Sequence, residues 1–475
     1  MKKFIPYNLL SDFRSWIIIF FLIRLIGITN PPLETGHNWR QSLTNMIARN
    51  MMEEDASLLY PKIDMAGNLS GIIGSEFPIF NYLIYLFFLM TDFNHWAGRL
   101  INLLVSSIGI FYFYKLIRKL FNPEVAFSAG IVLLCSIWFA FSRKIMPDTF
   151  SVSLVLIGLY YSCLYLSSGA IKNLFLFFLF ASLGILSKLP AIFLLSWIPV
   201  LLISKQLNTR RSAIIAFTAI ASAIPALIWY FHWVPELVSK HHFQLYFPKT
   251  LSEGILEIYQ YWPGFFEKFY FASLSSYLGF AAFILGMVLL FFNKRKIELA
   301  VFGMLTLVFL VFTVKTGSIF PTHNYYVIPY APVMALVAGF GLQKFKGKLK
   351  FIFLALIAIE GVANQQHDFF IRESQLHKLF LEEFLDTHVS KNDLIVINGG
   401  QSPQEIYFAN RKGWTLYNED IRKPFIDSLA GLGAAWLVIN KNRMDEVPEM
   451  YLEVKSDKHY SLYSLQNYAS IFDKP

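Results

Sequence analysis

The sequence predicts an all-α polytopic membrane domain of eleven helices, followed by a small C-terminal α/β domain outside the cytoplasm. Three observations predict this fold class. Of 475 residues, 55% are hydrophobic and only 15% charged, against about 25% charged in an ordinary soluble domain. The apolar residues gather in long runs nearly free of charge. Lys and Arg concentrate in alternate short loops, as expected of cytoplasmic loops. This composition excludes a soluble enzyme, a disordered chain and a nucleic-acid-binding basic domain. The net charge of +9 follows from retaining Lys and Arg on the cytoplasmic side. Two cysteines, Cys135 and Cys163, lie inside apolar runs and exclude a disulfide scaffold.

A hydrocarbon core of about 30 Å needs about 20 apolar residues per helix. Residues 125–142, 149–171, 212–231 and 269–293 meet this cleanly. Residues 16–29 around Arg24, 96–114 around Arg99, 173–187 and 189–204 flanking Lys188, 299–314, 324–343, and 349–365 around Glu360 complete the eleven. PPLETGHNWRQ follows the first run and carries no cleavage pattern, so that run reads as an anchor. Lys2, Lys3, Arg14, Lys115, Arg118, Lys119, Lys172, Lys205, Arg210, Arg211, Lys294–Lys296 and Lys344–Lys350 all fall on one side. The long segments 30–95 and 232–268, the turn 315–323 and the tail from 366 fall on the other. The chain therefore divides into a membrane domain, 1–365, and an outer domain, 366–475.

In the tail, HKLFLEEFLDTHV has the spacing of an amphipathic helix. DLIVINGG and AAWLVINK are short runs rich in branched residues and bounded by turn formers, hence strands. PQEIYFANRKG between them reads as a helix closed by Gly413. The lone Gly399–Gly400 pair lacks a cofactor fingerprint.

The first outer loop, 30–95, is long enough to expect function. Trp39, Leu43, Met46, Ile47 and Met51 recur at helical spacing, opposite Arg40, Gln41, Asn45, Arg49 and Asn50, which predicts a helix lying in the membrane interface. FPIFNYLIYLFFLM at 77–90 is too short to span and should lie along the surface. Glu53, Glu54 and Asp55 read as a solvated turn. Glu34 stands apart, directly after Pro31 and Pro32 and beside His37, Trp39 and Arg40. Asp64 in YPKID and Glu76 in GSEFP also sit among apolar or glycine neighbours. Each is open to an ordinary reading as an N-cap or a partner for a loop arginine.

Two further clusters stand at outer membrane boundaries: Arg143, Lys144 and Asp148 in SRKIMPDT, and His323, Tyr325 and Tyr326 in PTHNYYVIPYAP. An aromatic belt accounts equally for the tyrosines. Lys188 in GILSKLPA lies near hydrocarbon and requires an anionic partner, either a carboxylate or a lipid or substrate phosphate. His241, His242, Tyr259, Tyr261 and Trp262 suggest a wall for sugar rings or a lipid chain. No histidine pair has HxxxH or HExxH spacing, so a metal centre is not favoured.

Taken in order, these features form a pattern. A carboxylate follows the first span, an EFP motif precedes the second, and an R-x-x-x-x-D turn follows the third. A lysine lies between the fifth and sixth, an H-x-Y-Y stands near the tenth, and an outer α/β domain closes the chain. Over about residues 10–365 this set resembles the C-type membrane glycosyltransferases. Within them it is most similar to the bacterial branch related to dolichyl-phosphate-mannose protein mannosyltransferases and the lipid A aminoarabinose transferase.

The resemblance implies an integral protein of the bacterial cytoplasmic membrane. It implies inverting transfer of one sugar from a polyprenyl-phosphate donor to a glycolipid, polysaccharide or protein acceptor on the outer face. No cofactor is required, and a divalent metal is admitted without being favoured. Glu34 best matches the family's catalytic acid. Arg40 and Gln41 stand where the family carries an acidic pair, which leaves Asp64 and Asp148 as rival bases. Glu76 and Pro78 match the second motif, but Phe77 replaces its lysine, so Arg143 or Lys188, with His323, would contact the donor phosphate. His37, Arg40, Tyr325 and Tyr326 complete the expected substrate-binding set.

A polymerase or ligase of lipid-linked oligosaccharides, a transporter or flippase, and a catalytically inert recruiting protein are the alternatives. Transporters place ionisable groups near mid-membrane on interrupted helices; here they gather at one face, which favours an enzyme.

Overall fold

The computed structural model describes residues 10–203, 209–243, 249–444 and 451–465. Lys2, Lys3 and Lys205 lie outside these residues. Among the described residues, five helices are long and apolar enough to cross a membrane: Ala97–Leu120, Pro147–Ser168, Arg210–His241, Lys296–Thr316 and Asn324–Leu342. A sixth crossing is available if Trp262–Ala272 and Tyr277–Phe292, bent by 88° at their junction, act as one span. Ile79–Thr91, Pro123–Cys135, Ile171–Ser187 and Leu189–Leu202 are apolar but shorter. The expected eleven full-length spans are therefore not confirmed among the described residues, and several of the expected runs break at identifiable points. The run 125–142 breaks at Ser136, where Gln365 Nε2 satisfies the freed carbonyls of Cys135 and Ser136 at 3.2 and 3.0 Å, and its Oε1 accepts from Ala140 N. Leu189–Ser196 winds as a 3₁₀ segment behind Pro190. The first helix ends at Arg24, ahead of Gly27 with its positive φ.

Close packing relies on small residues. Gly286 lies against the Val337 carbonyl and Gly341 against that of Ala282, so Tyr277–Phe292 and Ala331–Leu342 pack backbone to backbone. The bend before Tyr277 is secured by Glu360, whose carboxylate accepts from Tyr277 N and Leu278 N at 2.9 and 3.0 Å and from Ser276 Oγ at 2.5 Å.

The C-terminal domain is a five-stranded sheet of β1 (Leu394–Ile397), β2 (Gly413–Thr415), β3 (Ala434–Asn440), β4 (Leu452–Ser456) and β5 (Tyr460–Ser464). Its order is β2-β1-β3-β5-β4, with β1 parallel to β2 and β3, and β5 antiparallel to β3 and β4. The helix between β1 and β2, Gln404–Ala409, closes at Asn410 in the left-handed region, not at Gly413 as expected. Gly413 instead opens β2, pressed against the Ile395 carbonyl where no side chain fits. The expected amphipathic helix at 377–389 is split into a 3₁₀ segment, Glu373–Phe380, and a short helix, Leu381–Asp386. Leu381, Phe384 and Leu385 are buried while Leu379 and Phe380 remain exposed.

The loop helix, Asn38–Glu53, corrects a second expectation. Every residue from Gln41 to Met51 is buried, the polar ones included. The polar face meets protein, because the C-terminal domain covers it. Arg49 donates to the Tyr407 carbonyl at 2.9 Å, and the Tyr407 hydroxyl accepts from Asn45 Nδ2 at 3.3 Å and is hydrogen-bonded to His95 Nδ1 at 2.7 Å. Glu54, expected to be solvated, pairs with Lys412 at 2.6 Å and Lys62 at 3.1 Å. The loop thus forms the socket on which the C-terminal domain sits.

Candidate active site

The first helical turn after the 30–37 loop brings several predicted residues together. His37 caps Asn38–Glu53 with φ 55, a conformation that a residue with a Cβ rarely adopts. Lys144 holds this turn from the neighbouring segment, donating to the Gly36 carbonyl at 3.0 Å and pairing with Asp368 at 3.2 Å. The turn sets the His37 ring 6.0 Å from that of His323 and 5.0 Å from that of Tyr325. Burial, then the charge of Lys144, pushes His37 down to about 3, so it stands neutral. Burial also lowers His323.

Next to this pair is a chain of alternating charges. Arg40 pairs with Glu76, and Lys188 Nζ bridges Glu76 Oε1 at 3.1 Å and Asp148 Oδ1 at 3.3 Å. Lys188 also stands 5.0 and 5.9 Å from the ring centres of Tyr325 and Tyr326, so aromatic faces supply the rest of its environment. Burial alone would raise the Glu76 carboxyl, but Arg40 and then Lys188 outweigh it and hold the group at about 2. Asp148 sits in the first turn of Pro147–Ser168, where the helix N-terminus favours negative charge. Among the described residues, its buried Oδ2 accepts no hydrogen bond, and Arg40 Nε and Gln41 Nε2 are buried donors without acceptors.

Glu34 and Asp64 lie elsewhere. Glu34 is fully buried: Oε1 accepts from Asn30 Nδ2 at 2.9 Å and Arg143 Nη2 at 3.1 Å, and Oε2 pairs with Arg99. Arg143 stacks 4.1 Å over the Phe369 ring. Both are thereby committed to an internal ion group beneath the loop. Asp64 is held by Arg49 at 2.9 Å and Asn50 at 2.7 Å, and its backbone carbonyl accepts from Gly413 N at 2.9 Å. It belongs to the joint with the C-terminal domain.

Sequence reasoning passed over Lys268, buried and hydrogen-bonded to Asn324 next to His323, and Arg99, the strongest partner of Glu34. The signal that marked Lys188, a lone cation in an apolar run, was present for Arg99; Lys268 follows Glu267 directly and stands at the edge of its run. Among the described residues, no group of three or more His, Cys, Asp or Glu is placed to hold a metal ion. The carboxylates of the cluster have Arg40 and Lys188 as counter-charges.

Residues 75–229, which include Glu76, Asp148 and Lys188, match the dolichyl-phosphate-mannose-protein mannosyltransferase family. No curated protein matches the chain by sequence. By structure, the chain is similar to ArnT from Cupriavidus metallidurans bound to undecaprenyl phosphate, with TM-score 0.59 and 12% identity over 95% of this chain and 98% of that one. It is similar also to the Archaeoglobus fulgidus oligosaccharyltransferase in complex with zinc and sulfate, with TM-score 0.58 and 12% identity over 89% and 67%. The archaeal oligosaccharyltransferase AglB from Archaeoglobus fulgidus, in complex with an inhibitory peptide and a dolichol-phosphate, gives TM-score 0.54 and 10% identity over 90% and 69%. The chain thus has the fold of the C-type membrane glycosyltransferases, and the resemblance read from its sequence holds. Within that class it resembles ArnT over nearly the whole of both chains.

Proposed function

We propose that this protein transfers one sugar from a polyprenyl-phosphate donor to a hydroxyl of a glycolipid, polysaccharide or protein, with inversion, at the outer face of the bacterial cytoplasmic membrane. The observation that carries the reading is the unpaired Oδ2 of Asp148, a buried carboxylate oxygen with no hydrogen-bond partner among the described residues, beside Lys188 and Arg40. A general base needs a free lone pair, and a leaving phosphate needs fixed positive charge. The acceptor hydroxyl oxygen bonds to the anomeric carbon while its proton passes to Asp148. The bond from that carbon to the phosphate oxygen breaks, and its electron pair leaves on the phosphate, steadied by Lys188 and Arg40. His37 and His323 flank the site as neutral hydrogen-bonding groups, and Tyr325 and Tyr326 offer ring faces to the sugar. Glu34, with both oxygens held by Asn30, Arg143 and Arg99, positions the loop.

The test is transfer of labelled sugar from a panel of polyprenyl-phosphate monosaccharides in isolated membranes, comparing wild type, Asp148→Asn and Glu34→Gln at matched protein levels. Asp148→Asn loses at least about 100-fold, the usual cost of removing a general base. Wild-type rates in Asp148→Asn would return the base to Glu34. If wild type consumes no monosaccharide donor but does consume lipid-linked oligosaccharides, the likeness to the archaeal oligosaccharyltransferase becomes the better guide. If it consumes neither, transport becomes the reading to test.

A further inference from the structure

A second polar site lies at the opposite end of the membrane domain. Ala97–Leu120 begins at the ion group, where Arg99 meets Glu34, and reaches Lys115 about 24 Å further along its axis at 1.5 Å per residue. There it packs beside the start of Phe13–Arg24, and the two helices flank an open surface cleft of about 470 Å³. Arg14, Lys115 and Arg118 line it with one carboxylate, Asp12, which caps the first helix and holds Arg14 at 2.5 Å. Three cations against one anion leave an excess of positive charge. Phe13 and Tyr114, stacked at 4.5 Å, form an aromatic wall, and Lys115 is fixed 4.4 Å above the Tyr160 ring.

The two helices also carry an apolar track leading away from the cleft. Ile18 and Leu22 follow Arg14 at intervals of four, and Ile108 and Leu104 precede Phe111 and Lys115 at intervals of three and four. All four are exposed. At helical spacing these residues continue the faces that carry the cleft cations. A cationic recess opening onto an exposed apolar stripe matches a molecule with an acidic head and a hydrocarbon tail; a free anion has no use for the stripe.

We infer that this cleft binds a phosphate-bearing membrane lipid, with the phosphate on Arg14 and Arg118 and the chain along Ile18, Leu22, Leu104 and Ile108. The site is separate from the Asp148 cluster. Its ligand has two sources with the same head chemistry, an anionic phospholipid and a polyprenyl phosphate.

The test is native mass spectrometry of the full chain in detergent, offered phosphatidylglycerol, phosphatidylcholine, polyprenyl phosphate or inorganic phosphate separately. Wild type retains one phosphatidylglycerol, or one polyprenyl phosphate, in preference to phosphatidylcholine. Arg14→Gln with Arg118→Gln lowers that retention about tenfold or more, as expected for two cations near a lipid phosphate. Arg14→Lys with Arg118→Lys keeps it, which separates charge from folding. Labelled-sugar transfer stays at the wild-type rate in both double variants. Equal retention by wild type and the Gln variant, equal retention of phosphatidylcholine, or competition by inorganic phosphate at the lipid's own concentration would overturn the assignment.

Discussion

The ammonium of Lys188 lies 3.3 Å from Oδ1 of Asp148 and leaves Oδ2 of the same carboxylate without a hydrogen-bond partner among the described residues. One oxygen is thus fixed by a charge while the other stays available, which is the arrangement a positioned proton acceptor needs. Replacing Lys188 with Met removes both the anchor and the cation nearest the proposed leaving phosphate. Sugar transfer is expected to fall by about 100- to 1,000-fold, the range for losing one electrostatic stabiliser. Initial rates in membranes at matched protein level check this, and a rate within a few-fold of wild type removes Lys188 from the mechanism.

Glu34→Gln speaks to folding first. A buried carboxylate lies there between Arg99 and Arg143, and breaking such a group by neutralising one member costs about 3–5 kcal/mol. The variant should show a clearly lower thermal midpoint in detergent. Unchanged stability with lost transfer would place Glu34 in the chemistry instead.

Tyr407→Phe tests the joint between the loop and the C-terminal domain. Losing the hydroxyl removes the partner of the His95 ring and one of the two acceptors of Asn45 Nδ2 in a buried setting, which costs about 1–3 kcal/mol. Limited proteolysis of the tail should accelerate while the membrane domain stays intact.

The same joint predicts a pH dependence. Burial, then the charge of Arg49, lowers His95 to about 4, whereas an unfolded histidine titrates near 6.5. Between these values the unfolded chain binds a proton that the folded chain refuses, so stability decreases as pH is lowered across that window. The contribution is complete above about pH 6.5 and lost progressively towards pH 4. His37, lowered to about 3, acts in the same direction. Thermal midpoints at pH 7.5 and 5 should differ, and the difference should shrink in His95→Gln.

Glu360→Ala should loosen the bend before Tyr277. Its carboxylate caps two backbone N–H groups and the Ser276 hydroxyl, and losing a cap of this kind costs about 1–2 kcal/mol. Hydrogen exchange at Tyr277 and Leu278 reports it directly.

Much of this architecture was readable from local pattern. The apolar runs marked the membrane helices, short branched runs marked β1 and β3, and lone charges at run boundaries picked out Asp148, Lys188, Glu76 and His37. Where local pattern failed, a distant segment had intervened. The helix Asn38–Glu53 has the two faces of an interfacial helix, yet Gln41–Met51 is buried throughout, and on its polar side Asn45 and Arg49 meet Tyr407, more than 350 residues away. The run 125–142 looks continuous, but the Gln365 side chain satisfies the backbone where it breaks.

The sequence by itself determined the resemblance that the fold supports, the apolar character of the long helices, and the residue types available for chemistry. These depend on hydrophobic period and on the free energy of placing charge in hydrocarbon, both properties of short segments. Tertiary structure alone decided how each acid is partnered. Glu34, Asp64, Glu76 and Asp148 look alike in the chain, but Arg99 and Arg143 close on the first, Arg49 on the second, and Arg40 and Lys188 meet on one oxygen of the third, while Oδ2 of the fourth is buried with no hydrogen-bond partner among the described residues. Ion pairing and desolvation act through space, between partners that sequence separation does not reveal.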